Sequence, residues 1–399
     1  MSEHGFDSKK LTSNMDKLLG GWVEDKALPC VQAMIMRRDE LAYDNVFGWA
    51  DMEKQLPLKP DSIFRIYSMT KVFTSVSMLM LLEEGRYKMH DTLSKFFPEF
   101  KDTMVAEYDE ANRLSFVKPH REIIIRDLFT MASGIPYAAD ATTAERAMME
   151  AMNRAQVDRD KGAPWDSRKM MREVAKCPLA FHPGEHWWYG YSIDVLGALV
   201  EYFTDKPLAE FMRERIFEPL GLEDTGFYVP EDKIDRLVTM YDVSEAGVFT
   251  PTVPDYVGEW LIPPVRASAG GGLLSTAKDV LRFAQMLLHE GELDGVRLIS
   301  RKSVELMRTN HLSSQQLVDY NWDTQRGYGY GLAVRVMMHP EVAGFGSVGE
   351  FAWDGYAGTW FSVDPSEQMV SVFLVQTAPG RHYQFVPNFT QVMYGAIAD

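Results

Sequence analysis

Apolar side chains alternate along short runs near both ends of this 399-residue chain, whereas between those ends they recur at every third or fourth position. VQAMIMR (31–37) and LAYDNVFGWA (41–50) read as two strands, and Arg38-Asp39-Glu40 between them is a hairpin signal. YGYGLAVRVMM (328–338), GTWFSVDP (358–365) and MVSVFLVQT (369–377) revert to the same habit before a closing helix over FVPNFTQVMYGAIA (385–398). IIIRDLFTMASG, SIDVLGALVEYFTD, LAEFMRERIFEPLG and AKDVLRFAQMLLHEG in the middle carry helical periodicity, as does SKKLTSNMDKLLGGWVE (8–24) near the start. Hairpin-length connections favour antiparallel pairing. The expected architecture is therefore α/β (α+β): residues 1–90 and 311–399 share an antiparallel sheet, and 91–310 form a mostly helical region. A cleft between the two is the default place for a ligand.

Composition narrows the function classes. With 41 Lys and Arg against 57 Asp and Glu, the net charge of −16 repels phosphate backbones and anionic membranes, so neither is an expected partner. The first residues hold no apolar core of signal-peptide length, and no 18-residue uncharged apolar run occurs elsewhere. A cytoplasmic protein is the expectation, with a trimmed secretion leader as the alternative. Cys30 and Cys177 fit no metal or redox spacing and read as buried free thiols. His182 and His186 span Pro183-Gly184 and cannot share a helical face, so no metal and no cofactor is expected.

FRIYSMTKVFTSVSMLML (64–81) raises the chemical question. S-x-x-K occurs three times, at Ser68/Lys71, Ser115/Lys118 and Ser275/Lys278. Pro119 after Lys118 disfavours a helix and points to a polar loop, while Ser275 precedes an amphipathic helix that its hydroxyl can cap. Ser68 differs, because the helix behind it is apolar on nearly every side and must be buried until it ends near Gly85. Lys71, one turn from Ser68 on the same face, would carry its ammonium inward, where lysine is rare without a partner or a task. Burial disfavours a lysine's charged form, and a nearby lysine helps a serine lose its proton. The bland alternative is a capping Ser68 and a Lys71 that reaches back to water.

Serine needs a positioned base and donors for an oxyanion. G-x-S-x-G is absent, which disfavours a nucleophile-elbow hydrolase. PLAFHPGEHWWYGYSIDVLGALVEYF offers Tyr189, which beside an ammonium can accept the serine proton and return it to a leaving group. A Trp187-Trp188-Tyr189 packing cluster is the competing reading.

Taken together, SMTK, PGEHWWYGYS, RASAGGGLLSTAKDVLRF and FAWDGYAGTWFSVDP resemble the serine β-lactamase-like superfamily. The likeness is greatest to family VIII carboxylesterases, relatives of class C β-lactamases and D-alanyl-D-alanine peptidases, and runs from about residue 15 to the end. It implies a β-lactamase/penicillin-binding-protein-like fold with the site between its two parts. By that resemblance Ser68 is the acylated nucleophile, Lys71 its proton partner and Tyr189 the general base and acid. The third motif falls on Trp353-Asp354-Gly355, and the oxyanion hole on the backbone N–H groups of Ser68 and Tyr356. Gly355 would let backbone approach the acyl group; turn glycines at 355 and 358 are the plainer reading.

Two departures bear on substrate. Tyr191 replaces the asparagine of Tyr-x-Asn, and Trp353 replaces the lysine of Lys-Thr-Gly, followed by an Asp354 expected to oppose a carboxylate. Trp187, Trp188, Tyr191, Trp353, Tyr356 and Trp360 would favour an uncharged apolar group, with about half of them in the cleft. The expected function is a serine carboxylesterase acting on short-chain or aryl small-molecule esters. An acyltransferase, a weak β-lactamase or a D-residue peptidase would use the same residues, and a non-catalytic binding module is the alternative of another class.

Overall fold

The computed structural model describes residues 4–109, 111–244, 246–252 and 260–399. Its main sheet has eight strands: β1 (Cys30–Arg37), β2 (Glu40–Asp51), β3 (Leu56–Pro57), β4 (Tyr328–Tyr330), β5 (Arg335–Met337), β6 (Phe351–Asp354), β7 (Trp360–Asp364) and β8 (Met369–Leu374). Their spatial order is β4-β5-β6-β7-β8-β1-β2-β3. Every neighbouring pair is antiparallel, so the two ends of the chain meet where β1 pairs with β8, Ala33 opposite Phe373 and Ile35 opposite Ser371. The YGYGLAVRVMM run divides into β4 and β5 around a turn rather than forming one strand.

Alternation explains why β1 is central. All eight of its residues are buried, and successive side chains enter different cores. Val31, Ala33 and Ile35 join a cluster with Leu11, Met15 and Leu19 of α1 (Ser8–Glu24) and with Phe385, Phe389 and Met393 of α5 (His382–Tyr394). Cys30, Met34 and Met36 point to the opposite face, into the large core that holds α2 (Thr70–Glu83), α3 (Ser192–Thr204) and α4 (Ala277–Leu288). α4 lies against β1, β7 and β8, so this segment of the 91–310 stretch packs on the sheet, while α2 packs on α3.

Every residue of α2 from Thr70 to Leu81 is buried. Each apolar side chain removed from water there contributes about 1.5–3 kcal/mol, which outweighs the modest helix propensity of its Val and Thr residues. The helix is followed by Gly85 at φ +71°, the left-handed geometry expected of a helix terminus.

The two other S-x-x-K copies differ in detail from the expectation. Ser115 lies in a short exposed strand, Leu114–Val117, paired with Val105–Tyr108, because that pairing satisfies backbone that a loop would leave to water. Thr276, not Ser275, caps α4 by accepting from Asp279 N; Ser275 is drawn into a two-residue pairing of Leu274–Ser275 with Phe64–Arg65. LAEFMRERIFEPLG is helical but interrupted by one π turn, Arg213–Phe217. Among the described residues no helix is long and apolar enough to cross a membrane.

Candidate active site

Ser68 sits in a single 3₁₀ turn, Tyr67–Met69, that leads into α2, and no side chain caps that start. Lys71 is fully buried, and its Nζ donates to Ser68 Oγ at 3.0 Å and to the Gly270 carbonyl at 2.5 Å. Neither capping by Ser68 nor a Lys71 in water describes this pair. Among the described residues no carboxylate lies within ion-pair distance of Lys71; its other near neighbours are the rings of Tyr189 and Tyr137, with centroids 4.8 and 5.7 Å from Nζ. Tyr67, just before the serine, has φ +42°, a strained value for a bulky side chain. Its ring is held edge-on by Trp260 and Tyr356, and its hydroxyl points at Met240 Sδ, 3.5 Å away.

Tyr189 arrives from the loop before α3. Gly190 presses on the Ile135 carbonyl so closely that a Cβ would lie 2.0 Å from that oxygen, and the flanking Tyr189 and Tyr191 rings meet Tyr137 edge-on. Trp353 Nε1 donates to the Tyr189 hydroxyl at 3.3 Å. Burial pushes the Tyr137 phenol well above its ordinary range, with Tyr189, Asp194 and Tyr191 adding in the same direction.

The end of β6 closes the other wall. Gly355 is indispensable there, since a Cβ would stand 2.2 Å from Thr359 Oγ1 and 2.4 Å from the Ile66 carbonyl. The close approach is thus to the backbone two residues before Ser68. Thr359 Oγ1 donates to the same carbonyl, which locks the Gly355–Thr359 turn, with Tyr356 on it, to the serine segment. Asp354 is not a free anion: Arg335 Nη1 lies 3.4 Å from one carboxylate oxygen and His382 Nε2 3.6 Å from the other. Arg335 thus offsets part of the Asp354 charge on the cleft wall.

These parts enclose a cleft of about 620 Å³ lined by Ser68, Tyr189, Tyr191, Trp353, Asp354, Gly355 and Tyr356, with Lys71 behind the serine. Three of the six aromatics named for it line it. Trp187 instead packs behind Tyr189 against Tyr320, Trp188 is on the surface, and Trp360 turns to the opposite face of the sheet beside Phe389. Sequence reasoning missed Tyr137, Asp194, Trp322 and His382, which also line the cleft, and Gly270 as the acceptor for Lys71. Of these, Gly270 lay in the quoted RASAGGG and Asp194 in the quoted SIDVLGALVEYFTD, without either being singled out. Among the described residues no group of three His, Cys, Asp or Glu side chains is placed to hold a metal.

Protein Rv1367c of Mycobacterium tuberculosis is 36% identical over 358 residues, covering 87% of this chain and 85% of that protein. Esterase EstB of Burkholderia gladioli is 26% identical over 394 residues, covering 94% and 92%. The solved structure of EstCE1, described as a hydrolase with promiscuous acyltransferase activity, superposes with a TM-score of 0.79 at 23% identity, covering 98% of this chain and 99% of that one. The Beta-lactamase family model matches residues 15–388, and with the fold and cleft described above this chain belongs to that family.

Proposed function

We propose that the protein is a serine carboxylesterase that hydrolyses uncharged short-chain or aryl esters through an acyl-enzyme on Ser68. The observation that carries this reading is the 3.0 Å contact between Lys71 Nζ and Ser68 Oγ, buried beneath an aromatic cleft with Tyr189 at its side. Ser68 Oγ attacks the ester carbonyl as its proton passes to the Lys71–Tyr189 pair. The tetrahedral oxyanion is received by the N–H groups of Ser68 and Tyr356; the close approach of Gly355 to Ile66, which ties the two segments together, supports this reading. Tyr189 returns the proton to the departing alkoxide or phenolate, and water then releases the acid by the same steps in reverse. Esterase names among the relatives support hydrolysis of this bond class.

Ser68→Ala should abolish turnover of p-nitrophenyl butyrate, and a fluorophosphonate should label Ser68 in the wild type only. Activity surviving in that variant would remove the assignment, and absence of labelling in folded wild-type protein would favour a binding module.

A second reading, acyl transfer to an alcohol, is favoured by the size of the cleft and by the activity named for EstCE1. Adding a primary alcohol to the ester assay separates the two: a new ester product at the expense of free acid indicates transfer. A β-lactamase is disfavoured by Trp353, which leaves no lysine at the third motif.

A further inference from the structure

Lys71 Nζ is held by a backbone carbonyl, and that carbonyl belongs to a loop whose own anchor is a carboxylate. Asp194, in the first turn of α3 and nearly buried, accepts at Oδ1 from both Ser268 Oγ (3.1 Å) and Gly270 N (3.2 Å). Its second oxygen stands so near the Gly270 α-carbon that a Cβ there would lie 2.4 Å from it. From the other side, Thr74 Oγ1 donates to the Ala269 carbonyl at 2.8 Å. The 269–270 peptide is therefore clamped at its N–H by α3 and at its C=O by α2, and the next carbonyl, Gly270 O, faces Lys71 Nζ at 2.5 Å.

We propose that Asp194 is a positioning residue: by fixing Gly270 it sets where Lys71 Nζ stands relative to Ser68 Oγ. The inference rests on the reading of Lys71 as the proton partner of Ser68. A carboxyl group suits this task because one of its oxygens can take two donors, here Ser268 Oγ and Gly270 N. Lys71 is flexible and has no carboxylate of its own in reach among the described residues, so its place depends on the carbonyl it faces. Displacements of about 1 Å in such a site cost about 10²-fold in rate.

The test compares Asp194→Ala, Asp194→Asn and Gly270→Ala in the full chain, by pre-steady-state release of p-nitrophenol. Asp194→Ala should slow acylation about 10²-fold with KM nearly unchanged and should displace the acid limb of the kcat/KM pH profile. Asp194→Asn, which keeps an acceptor at Oδ1, should restore acylation to within about threefold of wild type. Gly270→Ala pushes on the same contact from the opposite side. It should reproduce the defect, and the double variant with Asp194→Ala should be no slower than the worse single one. Acylation at the wild-type rate in both Asp194→Ala and Gly270→Ala would overturn the proposal, as would an Asp194→Asn defect equal to that of Asp194→Ala. Ser68→Ala run alongside separates the two claims: if it stays active the esterase reading fails, whereas an inactive Ser68→Ala with fast Asp194 variants rejects the positioning role alone.

Discussion

Gly355 and Ile66 touch backbone to backbone, so tightly that a single methyl group on Gly355 would sit 2.4 Å from the Ile66 carbonyl. This contact joins the end of β6 to the turn that carries Ser68. Gly355→Ala should separate the two walls of the cleft, lowering kcat on p-nitrophenyl butyrate by about 10²-fold and stability by about 1–3 kcal/mol. Urea titration with activity measured on the same samples checks both, and an Ala variant with wild-type kcat would show that the wall moves without consequence.

Glu350 lies buried beside Arg335, and burial pushes its carboxyl up to about 7; Arg335 opposes this, Asp364 adds to it and Ser362 opposes it. A carboxyl whose folded value exceeds its unfolded one binds more protons in the folded state. Its burial thus costs little below the ordinary value near 4.5 and progressively more as pH rises to about 7, reaching roughly 3 kcal/mol. Glu350→Gln should leave stability nearly unchanged at pH 4.5 and raise it at pH 8. Thermal melts across that window check the sign, and a pH-independent difference would show that Glu350 does not titrate between them.

Burial also raises both thiols, Cys30 to about 12 and Cys177 to about 11, and neither has a disulfide partner. The thiolate is the reactive form, so both should resist iodoacetamide at pH 8 in the native protein. Two alkylations per chain are expected once guanidinium unfolds it. Mass spectrometry reads both numbers, and labelling of native Cys30 would contradict its complete burial.

The Ser68–Lys71 segment was legible in the sequence because an unusually apolar helix begins between the two residues, and burial is what that composition demands. Tyr189, Tyr191 and the Trp353–Tyr356 stretch were legible as linked motifs, and they do meet Ser68 in one cleft. The partners of Asp354 were not. Arg335 reaches it because β5 pairs with β6 in the register that sets Arg335 opposite Ala352, and His382 because α5 starts three residues earlier than its apolar pattern. Register and helix entry are decided by tertiary packing, which periodicity does not encode. The same reason put the α4 cap one residue early, since Ser275 was claimed by pairing with Phe64. Tyr137 belongs to no segment read from the chain, and Asp194 was read only as part of a helix; its place against Gly270 is a tertiary contact.

The burial of α2 on every side has a consequence for how the protein fails. Lys71 lies in, and Ser68 just before, a helix whose residues 70–81 have no solvent-facing side, so the amides of that helix can exchange with water only when the whole core opens. Their slowest-exchanging hydrogens should report the global unfolding free energy. Melting of α2 and loss of the folded state then become one event, with no intermediate in which the molecule is intact but Lys71 has come loose.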